Sequence, residues 1–165
     1  MKNRSFQIVE IIGVVSVVIS LLIVAYEIRQ TNKIAIVNAE IELRNNYSAL
    51  NELMVTHSEL AVMLIRNEEE GGKLSAAEHI RMRSFMFRHL NIWIASEIAY
   101  ENGMLPEPSF QIVLNDVAFG LRNFPGLHPH FREILDNFGG WSETRVVKLI
   151  ESELEQASLD AGRHD

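Results

Sequence analysis

The most apolar stretch of the chain lies near its N-terminus. No charged residue occurs between Ile11 and Tyr26, and most residues there are Ile, Val or Leu. With its mixed flanks, the stretch from Phe6 to Ile28 reaches the ~20 residues that a helix needs to cross a hydrocarbon core of ~30 Å. The pattern therefore predicts a transmembrane anchor within residues 1–28, with Glu10 and Glu27 near the two interfaces.

Two other interpretations of this stretch are open. A cleaved secretory signal peptide also has a basic start, here Lys2 and Arg4, followed by an apolar run. However, Glu10 interrupts that start, and the small-residue pair that resembles a cleavage site, Val37 and Ala39, lies well beyond the run. A buried helix of a soluble protein is the other alternative. We expect an uncleaved anchor in a lipid bilayer.

One face of the same helix carries a heptad pattern. No proline or glycine interrupts residues 14–54, so the helix is expected to continue beyond the anchor as an extension over residues 29–55. Small residues in the membrane half permit close approach of two backbones, and β-branched residues beyond it suit a seam that excludes water. We therefore expect a homo-oligomer, with a lone anchor as the alternative. Its chains would meet along a seam formed by Gly13, Ser16, Ser20, Glu27, Gln30, Ile34, Val37 and Ile41.

A second apolar stripe begins where the seam ends. Leu43, Tyr47, Leu50 and Met54 recur at helical spacing. At 100° per residue, this stripe lies more than a third of a turn from the seam. We expect it to be the face that packs on the rest of the chain.

Basic residues flank the anchor on both sides. Arg29 and Lys33 follow it directly, so we expect them to contact lipid headgroups. Lys2 and Arg4 precede the anchor, whereas Arg29, Lys33 and Arg44 follow it. Because positively charged flanks stay in the cytoplasm, this count favours a cytoplasmic location for the remainder of the chain.

The remainder of the chain is predicted to be a compact all-α body of four to five helices over residues 56–158. Apolar residues recur there at helical spacing, and no alternating strand pattern occurs. Capping boxes at Thr56–Glu59 and Ser75–Glu78 predict two helix starts, and Ser142 is a candidate cap for the last helix. The polar residues 159–165 are expected to be a disordered tail.

The longest helix of the body is predicted to begin after Ser75 and to end at Asn102–Gly103. It is apolar over most of its circumference around Trp93, and a helix with this pattern is buried. We expect it to be the central element. Pro106 and Pro125 are predicted to bound the next helix.

Composition excludes several classes of function. The 165 residues carry a formal net charge of −7, which is unfavourable for binding nucleic acid. There is no cysteine, so disulfides, cysteine-ligated metals and a thiol nucleophile are excluded. No phosphate-binding glycine loop, nucleophile elbow or zinc-protease motif occurs. We infer no catalytic residue, no metal site and no cofactor.

Polar residues within the apolar arc of the central helix are the remaining candidates for chemistry. His89, Glu97 and Tyr100 lie there around Trp93. Buried ionisable groups can form a proton-handling or ligand site, although hydrogen bonding within a core is their more common role. The pair His128 and His130 is a weaker candidate for a metal site, with the geometry of a helix start as the alternative.

Several short motifs resemble a family of uncharacterised bacterial single-pass membrane proteins with an N-terminal anchor and an all-helical body. The family's anchor also runs into an I-R-Q-N-T-like stretch, although here Thr31-Asn32 replaces the usual order. The resemblance spans residues 8–140 and implies a membrane-anchored helical fold in the bacterial inner membrane, without an activity or a catalytic residue. Its motifs are Glu27-Ile28-Arg29-Gln30-Thr31-Asn32, Ser58-Glu59-Leu60, Leu74-Ser75 with Glu78 and Arg81, Glu97 with Tyr100 and Gly103, and Pro125-Gly126.

Three functions are compatible with these patterns. The first is a membrane-anchored, self-associating helical protein that acts as a scaffold or interaction module and is not an enzyme. The second is a subunit of an oligomeric pore or transport-linked complex, in which Ser16, Ser20 and Glu27 line a lumen. The third is a ligand sensor or enzyme that uses the region of His89 and Glu97.

Overall fold

The computed structural model describes residues 2–69, 74–137 and 143–161, and nearly all of them are helical. No strand occurs within these ranges, which confirms the all-α prediction. The elements are α1 (Lys2–Thr56), α2 (Ser58–Glu69), α3 (Ala76–Glu101), α4 (Glu107–Asn123), a 3₁₀ turn (Pro125–Leu127), α5 (His128–Asn137) and α6 (Arg145–Ala161).

The chain forms two compact units, Met1–Asn38 and Ala39–Asp165. The first unit is the greater part of α1. The second contains the last turns of α1 and all the other helices. The boundary between the two units therefore lies within the helix extension that we predicted as a separate segment, residues 29–55.

The packing face of α1 is the stripe that begins at Leu43. Leu50 is buried, with 4% of its surface exposed, and Leu43 packs against the main hydrophobic core. Tyr47 is partly buried and reaches α4 through a hydrogen bond. The prediction that this stripe covers the body is confirmed.

Helix α3 is the central element, as predicted, because it contacts α2, α4, α5 and α6. Trp93 and Leu90 are buried in the same cluster as Phe110 of α4 and Phe131 of α5. Ile98 belongs to the predicted apolar arc but is exposed. Burial therefore does not extend around the whole circumference of the helix.

Both ends of α3 follow the sequence prediction. The Ser75 hydroxyl accepts a hydrogen bond from the Glu78 backbone N–H, and the Glu78 carboxylate accepts one from the Ser75 N–H, which completes a capping box. At the other end Asn102 caps the helix, and Gly103 follows with φ +69°, a left-handed conformation that favours glycine.

Two local predictions were wrong. Thr56 is the last residue of α1 and not the cap of α2, and its hydroxyl donates to the Glu52 carbonyl at 2.7 Å. Helix α6 continues to Ala161, so residues 159–161 of the expected tail are helical. The candidate cap Ser142 and residues 162–165 lie outside the described residues.

Candidate functional site

Helix α1 contains a stretch that is long and apolar enough to cross a membrane, beginning at Val9. A signal sequence or the core helix of a soluble protein can pass the same test of length and composition. Here none of the most apolar window is buried, and Leu21, Leu22 and Ile28 are all exposed. A core helix of this length would be covered by other elements of its own chain.

The membrane half of the seam consists of residues with small side chains, and its two serine hydroxyls are hydrogen-bonded within α1. The Ser16 hydroxyl donates to the Ile12 carbonyl at 2.8 Å, and the Ser20 hydroxyl donates to the Ser16 carbonyl at 2.9 Å. A Cβ atom added at Gly13 would have no neighbour within 4 Å. The contacts of this chain therefore give no steric reason for glycine at that position.

The aqueous half of the seam is exposed. Ile34, Val37 and Ile41 have 54%, 52% and 50% of their surfaces accessible. Glu27 and Gln30 are exposed as well, as are Arg29 and Lys33, which follow the apolar stretch. The residues predicted for self-association and for lipid headgroups are thus all accessible along α1.

A shared carboxylate joins three helices on the packing face of α1. The Tyr47 hydroxyl and the Trp93 indole N–H both donate to Oδ2 of Asp116, at 3.0 Å and 2.9 Å. Burial raises the pKa of Tyr47, and the negative charge of Asp116 raises it further. Sequence reasoning missed Asp116, a partly buried residue beside the apolar face of α4.

Glu97 has a structural partner. Only 1% of its surface is exposed, and its carboxylate accepts hydrogen bonds from the backbone N–H groups of Arg145 and Val146, the latter at 2.8 Å. These are donors of the first turn of α6 that lack partners within that helix. A buried carboxylate at this place satisfies them and complements the positive end of the helix dipole.

His89 and Tyr100 have other partners. The His89 Nδ1–H donates to the Phe85 carbonyl at 3.0 Å, and burial lowers the pKa of His89. The Tyr100 ring stacks on Phe110 with 4.7 Å between the centroids. A hydrogen bond with Glu107 raises the pKa of Tyr100.

The three polar candidates of α3 therefore do not form one site. Glu97 and Tyr100 both contact Arg145, whose guanidinium carbon lies 5.5 Å from the Tyr100 ring centroid. His89 contacts the rings of Phe85 and Trp93 instead.

The structure separates His128 from His130. The Nε2–H of His128 donates to the Leu121 carbonyl at 2.7 Å, whereas the buried His130 lies against His79 of α3. One nitrogen each of His79 and His130 and one carboxylate oxygen of Glu133 lie within 4.8 Å of one another. Sequence reasoning missed this cluster, although the spacing of His130 and Glu133 places both on one face of α5.

No protein-family model, no curated protein and no solved structure matches the chain. The resemblance to a bacterial membrane-protein family therefore stays a prediction.

Proposed function

We propose that this protein is a single-pass, membrane-anchored helical module that self-associates along α1 and presents its body as a scaffold or interaction surface. The proposal places it in a bacterial inner membrane with the body on the cytoplasmic side. The family resemblance and the count of basic flanking residues support that location.

The observation that carries the proposal is the contrast between two faces of α1. Leu50 is buried by the body, whereas Ile34, Val37 and Ile41 are each about half exposed. The latter three residues lie beyond the apolar stretch, where water would surround them. Burying such surface yields ~25 cal/mol per Å², so a second copy of α1 would gain stability by covering it.

The membrane half of the seam suits the same contact. Between helices in lipid there is no hydrophobic driving force, so association depends on close packing of small residues. Gly13 has open space beyond its own helix where a Cβ atom would lie, and the hydroxyls of Ser16 and Ser20 are hydrogen-bonded within the helix, so all three residues meet that requirement. The two halves would thus support one interface by different physical means.

A count of copies in lipid nanodiscs tests self-association. We expect each nanodisc to contain more than one copy of the native chain. The Ile34→Asp variant should shift the distribution of copies per nanodisc toward monomers, because the interface would bury an unpaired charge. Ile112→Asp is the matched control, since Ile112 of α4 is 63% exposed and lies outside the seam. A monomeric native chain would overturn the proposal, and five or more copies around a conducting lumen would favour the pore instead.

Extraction of membranes with alkaline carbonate tests the anchor. We expect the chain to stay in the membrane pellet with an intact N-terminus, because the apolar stretch is long enough to span a bilayer and no small-residue cleavage site lies close to its end. Release of the intact chain into the supernatant would contradict the anchor. A mature N-terminus near residue 40 would identify a cleaved signal peptide.

A further inference from the structure

We propose that His79, His130 and Glu133 form a binding site for a divalent transition-metal ion such as Zn²⁺. Two imidazole nitrogens and one carboxylate oxygen are a ligand set used by zinc sites with three protein ligands and a fourth position open to water. In this structure the three ligand atoms lie within 4.8 Å of one another. They come from α3 and α5, two helices packed in the same core.

The tautomer of His130 supports this assignment. The Asn67 amide nitrogen donates to the Gly126 carbonyl at 2.6 Å, which fixes the orientation of the Asn67 side chain. Its oxygen therefore faces His130 Nε2, 3.3 Å away, and can only accept a hydrogen bond. The proton of neutral His130 is thus on Nε2, and Nδ1 carries a free lone pair.

That lone pair has no partner within the described residues. His130 is 4% exposed, and its Nδ1 atom is buried without a hydrogen bond. An unsatisfied buried acceptor is unfavourable unless a ligand uses it.

The surroundings match those of other protein metal sites. Metal-binding histidines usually donate their second ring N–H to an oxygen that orients the ring. In this protein the Asn67 side-chain oxygen accepts that hydrogen bond from His130 Nε2. Gly126 permits this arrangement, since a Cβ atom there would approach the Asn67 amide nitrogen to 2.7 Å. Arg83 donates to the Oε1 atom of Glu133 at 3.2 Å, whereas Oε2 is hydrogen-bonded to His79 Nε2, a contact that a bound ion would replace.

The two outer ligands are already at a suitable separation. His79 Nε2 and Glu133 Oε2 lie 3.1 Å apart. Two ligands of a tetrahedral zinc ion, each ~2.0–2.1 Å from the metal, are ~3.3 Å apart. The side chains of both residues are partly exposed, so the outer side of the site is open to solvent.

Metal binding to tag-free, full-length protein in detergent tests the site. We expect one equivalent of Zn²⁺ to bind in competition with a chromophoric chelator, and Co²⁺ to produce a visible absorption band that Zn²⁺ abolishes. His79→Gln and Glu133→Gln should each weaken Zn²⁺ binding by at least ~10-fold, because even the loss of an orienting partner costs that much. Both residues are partly exposed, so these variants should fold.

A second histidine–glutamate pair supplies the control. His57 Nδ1 and Glu59 Oε1 lie 3.3 Å apart at the start of α2 and are both exposed, but they are not part of the three-residue cluster. His57→Gln should leave Zn²⁺ affinity unchanged. The proposal is overturned if the native chain binds no stoichiometric Zn²⁺, or if His57→Gln weakens binding as much as His79→Gln does.

Discussion

The two faces of α1 have similar chemistry and opposite surroundings. Ile41 lies half exposed on one face, and Leu50, nine residues later, is buried on the other. Both are large aliphatic residues on the same uninterrupted helix. An apolar stripe therefore identifies a surface whose burial is favourable, but not which partner buries it. For Leu50 the cover is the body of the same chain, and for Ile41 we propose a second copy of α1.

The largest effect is expected from the central helix of the body. Trp93→Ala should reduce the free energy of unfolding by ~3–5 kcal/mol, because it leaves a cavity in the core and removes the indole donor to Asp116. Chemical denaturation of the detergent-solubilised protein, followed by circular dichroism, measures this. Ile34→Ala is the control, because Ile34 is exposed and should leave the stability of the body unchanged. Equal stability of Trp93→Ala and the native chain would refute the assigned role of α3.

The next largest effect concerns the carboxylate that caps α6. Glu97→Gln should cost ~2 kcal/mol, because an amide NH₂ replaces one of two charged acceptors and faces a backbone N–H. The same denaturation experiment measures the change, with the exposed Glu101→Gln on the same helix as control. If the Glu97→Gln variant has the same denaturation midpoint as the native chain, the carboxylate does not stabilise α6.

The smallest effect is a dependence of body stability on pH. Burial lowers the pKa of His89 in the folded protein. As the pH falls below 6.5, His89 therefore becomes protonated in the unfolded chain before it does so in the folded protein. Stability contributed by neutral His89 is therefore complete above pH 6.5 and is lost as the pH falls through the folded pKa. Asp116 opposes this shift, whereas Arg88 adds to it.

Thermal melts between pH 7 and pH 5 measure this dependence. His89→Gln should lose less stability than the native chain over that interval, because the glutamine does not titrate. His130 contributes in the same direction and remains in both proteins. Identical pH profiles for the two proteins would show that His89 does not contribute.

Local features of the fold could be predicted from the sequence because their partners are close along the chain. The capping box at Ser75 and the helix stop at Asn102–Gly103 depend on residues within one turn. The stripe around Leu50 follows from helical spacing alone. Thr56 shows the limit of such reasoning. Its hydroxyl could cap the following helix or bind a carbonyl of its own helix, and in the structure it donates to the Glu52 carbonyl within α1.

The polar contacts of the core could not be predicted, because their partners are distant in sequence. Asp116 binds Tyr47 and Trp93, which lie 69 and 23 residues away. Glu97 caps a helix that begins 48 residues later. The spacing of His130 and Glu133 suggests a pair on α5, but only the packing of α3 on α5 brings His79 to them.

Cysteine crosslinking along α1 tests the proposed seam most directly, because the native chain has no thiol. Single variants Ile34→Cys and Ile41→Cys should form dimers rapidly in native membranes. Asn32→Cys and Glu42→Cys are matched controls, because both positions are exposed and lie on other faces of the helix. At ~100° per residue, Asn32 lies about 160° from Ile34, and Glu42 lies about 80° from Ile34 and about 100° from Ile41. Faster crosslinking at positions 34 and 41 is the predicted result. Equal rates at all four positions would contradict the seam and leave α1 as a lone anchor.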